Sequence, residues 1–494
     1  MTNRNAAVLA GAAVTLGILG DGLLRATPWG VGFFLWAAAL VAVTAVLLES
    51  RQEATRLELA LLFVAPVFFA FGLAWRDAEV LVAWNVLAVV LALSVPITRS
   101  LVPDLRMGRV ADYIVGLVTA GFSTAFGPIM LLMQDIDWGA AGDRTRLRVA
   151  GGIVVGVLLA IPVALVFGGL LSSADPGFER LIRTIFDWDF PTIASHLALA
   201  ALLTWITAGY LHSVLHGASR SPIPREPLGR PSLGLLEIGI PLGTLIALFV
   251  LFLVLQAEYL FGGEDLIRRT AGLTYAEHAR SGFFELVTAS ALVLPLLLAA
   301  DWVIDKSSAA TVTRFRILAG VLIALVGLIM LSALHRMRLY LSAYGLSQDR
   351  VYATAVLLWV AFAIGWFAAT VLRGRGKRFA FGAMVSGFSV LALLNVINPD
   401  ALVVRANVER ARDGLELDVE YLSQLSADAV PSLLAALPDL PAEVRCTLAA
   451  DVTREWGGEH EDGWRSWNVS RSRARSGAGG LDPTADPECT HPLE

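Results

Sequence analysis

Apolar runs of about 20 residues recur from residue 6 to residue 397, and this repetition constrains the fold more than any single motif. A backbone in hydrocarbon must satisfy its own N–H and C=O groups, so runs of that length are read as helices. The reading expects about twelve spans, at 6–24, 29–48, 57–75, 80–98, 111–133, 149–171, 196–215, 234–261, 281–300, 315–335, 351–372 and 379–397. The fold class is therefore an all-α, polytopic transmembrane helix bundle. Of the 494 residues, 56% are hydrophobic and 16% charged, against about 45–50% and about 25% in a soluble domain. The same arithmetic excludes a disordered chain. A net charge of −5 with no basic domain excludes a nucleic-acid partner, and two Cys exclude a disulfide scaffold.

The bundle is expected over 1–397, a small polar helical region over 398–475 and a disordered tail over 476–494. Between Leu415 and Trp456 short amphipathic helices are broken by Pro431, Pro438 and Pro441. Leu422, Leu425, Val430, Leu433, Leu434 and Leu437 give an apolar face too small to fold alone, so this region should dock on the bundle or on a partner. The first apolar run is read as a retained span rather than a signal peptide, because no small-x-small cleavage site precedes the next run. Twelve spans put both chain ends on one face. Lys and Arg divide almost evenly between the two faces, so orientation rests on the densest short cluster, Arg373 to Arg378, which places the C-terminal region outside the cytoplasm. Cys446 and Cys489 lie in that region, where an oxidising compartment would let them pair; a cytoplasmic tail with two free thiols is the alternative.

An ionisable group inside a span costs at least about 2.5 kcal/mol and calls for a partner or a wet cavity. Asp21, Glu237, Glu258, Glu285, Asp301, His196, His212 and His335 are the candidates, with Asn85, Gln256, Asn395 and Asn398 as polar companions. Most sit near span ends, where snorkelling explains them; Asn85 and Glu285 are harder to dismiss. The eighth span ends with Gln256, Glu258 and Tyr259, and the following loop returns with Tyr275, Glu277, His278 and Arg280 before Glu285. These eight residues form a candidate polar pocket at the membrane interface. Arginines there would hold an anionic headgroup, and carboxylates would serve as counter-charges or general bases. A salt-bridge network that merely fixes the loop is the plainer reading. His212 and His216 have the spacing of two metal ligands on one helix face but no third ligand, so no metal is assigned. Walker, GxSxG, CxxC and dinucleotide motifs are missing, and no cofactor is expected. The two long connections, 172–195 and 262–282, are expected on the face of the C-terminal region.

Several stretches resemble an uncharacterised bacterial membrane family, domain of unknown function 4173, related to the one numbered 4153. They are LGILGDGLLRATPWGVGF near the start, LLSSADPGF at 170–178, QAEYLFGG at 256–263, LTYAEHARSGFFEL at 273–286, RMRLYLSAYGLS at 336–347 and the block LLNVINPDALVVRANVERARDGLELDVEYLSQLSADAVPSL at 393–433. The resemblance implies a multi-pass protein of a bacterial cytoplasmic membrane and brings no catalytic residues. Three functions stay open: transport or handling of a small molecule or lipid, a membrane-embedded enzyme acting on a lipid-linked or envelope substrate, and a signalling or assembly scaffold. If the interfacial pocket is functional, Glu285→Gln should abolish complementation of a deletion strain while insertion and protein level stay normal; full complementation would count against the pocket.

Overall fold

The computed structural model describes residues 3–50, 56–101, 104–135, 190–216, 233–261, 283–458 and 463–481, with Cys489 and scattered residues between 156 and 177. Eleven long helices follow the apolar runs: α1 (Asn3–Leu24), α2 (Val31–Ser50), α3 (Arg56–Trp75), α4 (Glu79–Leu101), α5 (Val110–Met130), α6 (Phe190–His216), α7 (Leu235–Phe261), α8 (Phe283–Val303), α9 (Ala309–Tyr344), α10 (Gln348–Thr370) and α11 (Phe379–Ile397). Among the described residues, ten helices are long and apolar enough to cross a membrane, α3 contributes the shorter apolar stretch Leu62–Trp75, and no strand forms. The chain is a multi-pass membrane protein. The expected span at 149–171 lies outside the described residues but for scattered positions. Pro66, Pro96, Pro128, Pro241 and Pro295 all sit inside helices, where neighbouring helices can satisfy the carbonyls that proline frees.

Two apolar cores hold the bundle. One gathers α1 to α4 and α6, with Leu16, Phe69, Leu81 and Leu211 at its centre. The other gathers α7 to α10, around Leu242, Leu297, Leu322 and Phe367. Helices α10 and α11 feed both: Tyr352, Leu391 and Leu394 pack in the first, Leu357, Val360 and Phe379 in the second. A seam between two helix groups therefore runs along α10 and α11.

The chain breaks its helix at Asn398, which takes a left-handed conformation (φ 59°), accepts from Ala401 N at 3.1 Å and is followed by Pro399 at the first helical position. Beyond it lie α12 (Pro399–Arg412), α13 (Val419–Ser423), α14 (Val430–Ala436), α15 (Ala442–Trp456) and α16 (Val469–Ala478). Val403, Val404, Leu422, Leu433, Leu448 and Ala474 give this cap a core of its own, and a disulfide joins Cys446 in α15 to Cys489. Helix α16 runs across residue 476, at which the sequence reading starts the tail.

The cap touches the α1–α2, α3–α4 and α9–α10 connections and the end of α11, so all four lie on one face and α1 starts on the other. Ser195 and His196 of α6 meet Arg25 and Asp21 there too. On the far face, the Leu105–Met107 turn before α5 packs against Gly376–Arg378. Thus α5 ends, and α6 begins, on the cap face. Residue 3, at the start of α1, and the cap lie on opposite faces, where the expectation put both chain ends on one face.

Helices α5 and α6 approach closely at Gly209, where a Cβ would fall 2.2 Å from Thr124 O. Gly209→Ala should lower the melting temperature in detergent, at an overpacking cost of about 1–3 kcal/mol. Gly320→Ala, with nothing within 4 Å of the new Cβ, should leave it unchanged; equal melting of both variants would contradict this packing.

Candidate functional site

The turn between α3 and α4 is Arg76-Asp77-Ala78, and it carries no Ser, Thr or Asn to cap either helix. Helix ends leave orphan N–H and C=O groups that must find partners. Here the cap supplies them. Asp428 Oδ2 accepts from Asp77 N at 2.8 Å and Ala78 N at 2.9 Å, which sets a carboxylate at the positive end of α4. Asn468 Nδ2 donates to Leu73 O at 2.7 Å and Arg76 O at 2.8 Å, and Ser470 Oγ donates to Trp75 O at 3.0 Å. The same Asn468 caps α16 through its Oδ1, which accepts from Ser470 N at 2.8 Å and Arg471 N at 3.2 Å.

The side chains of the turn reach back in return. Arg76 Nε donates to Asn395 O at 2.7 Å, Nη2 to Val396 O at 3.4 Å and Nη1 to Asp428 Oδ1 at 3.4 Å; its guanidinium lies 4.4 Å from the centre of the Trp75 ring. Arg471 of α16 pairs with Asp77 and donates to Trp29 O at 3.3 Å. Arg76, Asp428 and Arg471 are all buried. Below them, fully buried Asn85 and Asn395 exchange reciprocal amide hydrogen bonds of 2.9 Å between α4 and α11. Gly72 admits this pair, since a Cβ there would lie 2.5 Å from Asn85 Nδ2. A chain of polar contacts thus runs from the seam inside the bundle to the far side of the cap interface.

A second knot ties α10 and α12. Asp400 accepts from Gln348 Nε2 at 2.6 Å, Ser426 Oγ at 2.6 Å and Ser426 N at 3.2 Å, while Gln348 N donates to the Tyr421 hydroxyl at 2.8 Å. Asn407 fastens the α9–α10 turn by accepting from Leu346 N at 3.0 Å and donating to Leu346 O at 2.7 Å. Burial pushes the carboxyls of Asp77 and Asp400 above the ordinary value, against the opposing effects of Arg471 on the first and of Ser426 and Gln348 on the second.

The expected interfacial pocket lies mostly outside the described residues. Gln256 is buried; with its amide oxygen toward α9 it accepts from Arg336 Nη2 at 2.7 Å and Nε at 3.2 Å, and its nitrogen donates to Ser332 Oγ at 3.2 Å. Glu285 is exposed in the first turn of α8. Glu258 and Tyr259 lie in the last turns of α7, their side chains outside the described residues, as are Tyr275, Glu277, His278 and Arg280. Of the other candidates, Asp21 pairs with Arg25 at 2.7 Å and with His196 at 2.5 Å, and Asp301 pairs with Lys306 at 3.0 Å. Sequence reasoning singled out Asn85, Asn395 and Asn398 but passed over Arg76, Asp77, Asp428, Asn468 and Arg471. The signal for the latter was a three-residue turn with two adjacent charges, whose one side chain able to cap a helix, Asp77, is turned to Arg471.

A family model described as Domain of unknown function (DUF4153) matches residues 59–436. The chain belongs to this family. DUF4153 was expected only as a relative of the family numbered 4173, and it is the DUF4153 description that matches. No curated protein and no solved structure matches the chain. The DUF4153 segment holds Arg76, Asp77, Asn85, Asn395 and Asp428, whereas Asn468 and Arg471 fall beyond it, so the knot unites the family segment with the end of the chain.

Two outcomes test the knot. Asp428→Ala leaves two amides and Arg76 without their carboxylate and should destabilise the protein by about 3–5 kcal/mol; Arg76→Met with Asp428→Leu should cost less than the two single changes summed, and strict additivity in thermal melts would contradict the pairing. The raised carboxyls set a sign. A folded pKa above the unfolded value of 3.8 means that the stability these groups contribute is full below that value and lost as pH rises through the folded one. The melting temperature of the native protein relative to Asp400→Asn should therefore fall with rising pH across that window; a rise would reverse the account.

Proposed function

We propose that this DUF4153 protein transports or otherwise handles a small molecule or lipid along the seam between its two helix groups, with the cap as the latch that holds them together. One observation carries the reading: the buried Asn85–Asn395 pair ties α4 to α11, the helix that borders the seam and feeds both cores, and Arg76 binds the backbone of that same Asn395 under a cap carboxylate. Buried polar groups in a membrane bundle cost free energy and mark function by default, and amide pairs between spans are worth only about 0.6–1.7 kcal/mol. That bond strength suits a contact that opens and closes. Separating α11 from α4 breaks the amide pair and the Arg76 bonds together.

The location we assign is a bacterial cytoplasmic membrane, with the cap outside the cytoplasm. The far face carries Arg99, Arg106, Arg109, Lys306, Arg314, Arg316 and the run Arg373 to Arg378 in its short connections and the helix turns beside them, as the positive-inside bias requires of a cytoplasmic face, and the Cys446–Cys489 disulfide suits an oxidising compartment for the cap. The domain division we adopt is the bundle to Ile397 and the cap from Asn398. The end of α7 with Gln256, Arg336 and Ser332, extended by Glu258, Tyr259, Tyr275, Glu277, His278, Arg280 and Glu285, is the mouth at which an anionic group would enter. A second reading, an enzyme acting on a lipid-linked or envelope substrate, is favoured by the Asp21–His196 pair on the cap face, an arrangement suited to general base work.

Asn85→Cys with Asn395→Cys, cross-linked by an oxidant, should lock α11 to α4 and so fix one side of the seam. Cells lacking the protein should show altered lipid or envelope-metabolite pools, restored by the native chain and by the reduced variant but not by the cross-linked one. Unaltered pools in the deletion strain, or full restoration by the locked variant, would overturn the proposal.

A further inference from the structure

We propose that the turn from Trp464 to Trp467 is a lipid anchor, a piece of the cap that sits in the phospholipid headgroup layer rather than in water. This segment precedes α16 and lies across the α1–α2 hairpin. Its height is fixed by backbone contact: Val31 N donates to Trp467 O at 2.9 Å, a Cβ on Gly30 would fall 2.3 Å from Trp467 O, and one on Gly32 would fall 3.0 Å from Arg465 O. Only glycine lets the two backbones meet so closely. Arg471 tightens the join by donating to Trp29 O and Ser466 O.

The hairpin itself marks a membrane boundary, because α1 and α2 are spans that end and begin there. Trp29 at its tip is 37% exposed, and exposed residues in the second turns below it are apolar, Leu19 and Ile18 on α1 and Leu35 on α2. Trp464 is 60% exposed and Trp467 49% exposed, so two large indoles from the cap join a third from the bundle at one level. Tryptophan concentrates at that level in membrane proteins because its ring is apolar and its N–H is polar. Arg465, between the two indoles and 5.9 Å from the Trp464 ring centre, stands where a phosphate would lie. Two exposed indoles in water would be an unoccupied apolar surface; continuity with the lipid-facing hairpin names phospholipid as the occupant. The cap is then held from two sides, by the buried knot and by the bilayer.

The test uses the full chain in nanodiscs of phosphatidylethanolamine and phosphatidylglycerol. Both native cysteines are disulfide-bonded, so a nitroxide can be placed singly at Trp464→Cys and, as a control, at Glu455→Cys on exposed positions of the cap. Collision with oxygen relative to a water-soluble nickel chelate should be several-fold higher at 464 than at 455. Equal ratios, with the melting temperature unchanged, would overturn the anchor. Should the label disturb the turn, unlabelled protein decides: brominated-chain lipid should quench the fluorescence that Trp464→Phe with Trp467→Phe removes, and failure to quench that component would equally overturn it.

Discussion

Everything at the cap face depends on the need of two helix ends to be satisfied at a turn too short to do it. Between Trp75 and Glu79 the chain reverses in three residues, which leaves the last carbonyls of α3 and the first amides of α4 at the edge of the membrane with no local side chain to receive them. Unpaired backbone groups there would cost free energy comparable to lost hydrogen bonds. Asp428, Asn468 and Ser470 supply the partners from more than 340 residues further along. A bundle formed without its cap would therefore be unfinished at this turn, and the cap's position is fixed by the chemistry of the turn as much as by apolar contact.

The charges follow from that arrangement. A carboxylate that caps α4 must be buried, and a buried carboxylate needs a cation, which Arg76 provides from the same turn. Asp77, next in sequence, turns to Arg471 of the last cap helix, so the two Arg–Asp pairs cross between bundle and cap. Pairs of this kind contribute little net stability relative to apolar packing, because desolvation offsets attraction, but they strongly disfavour any arrangement that separates the partners. They specify one docked position. Arg76 also holds the carbonyls of Asn395 and Val396, which carries the constraint from the cap into α11 and so to the seam between the two cores.

How much of this was legible follows from the range of each interaction. Spans are set by hydrocarbon thickness, a local property, and α2, α3, α4 and α8 lie within a few residues of the runs read from the sequence. Helix α9 reaches from Ala309 to Tyr344, beyond the expected 315–335, because hydropathy falls at Arg314, Arg316, Arg336 and Arg338 while the helical hydrogen bonds continue. Asn85 stood out as an amide inside an apolar run, and Asn395 and Asn398 as its companions. Arg76 and Asp428 did not, since a charge in a loop looks the same whether it faces water or a buried partner. The sequence reading puts the connection before α6 on the face of the C-terminal region, and the contacts of Ser195 and His196 with Arg25 and Asp21 place the start of α6 there.

The central claim is that the cap completes the α3–α4 turn, and amide hydrogen exchange measured at Asp77 and Ala78 in lipid nanodiscs reads it directly. With the native chain both amides should exchange orders of magnitude more slowly than free peptide, and replacing the Asp428 carboxylate should release those two while amides in the middle of α3 and α4 stay protected. Fast exchange at Asp77 and Ala78 in the native protein would contradict the account, as would slow exchange that persists once the carboxylate is gone.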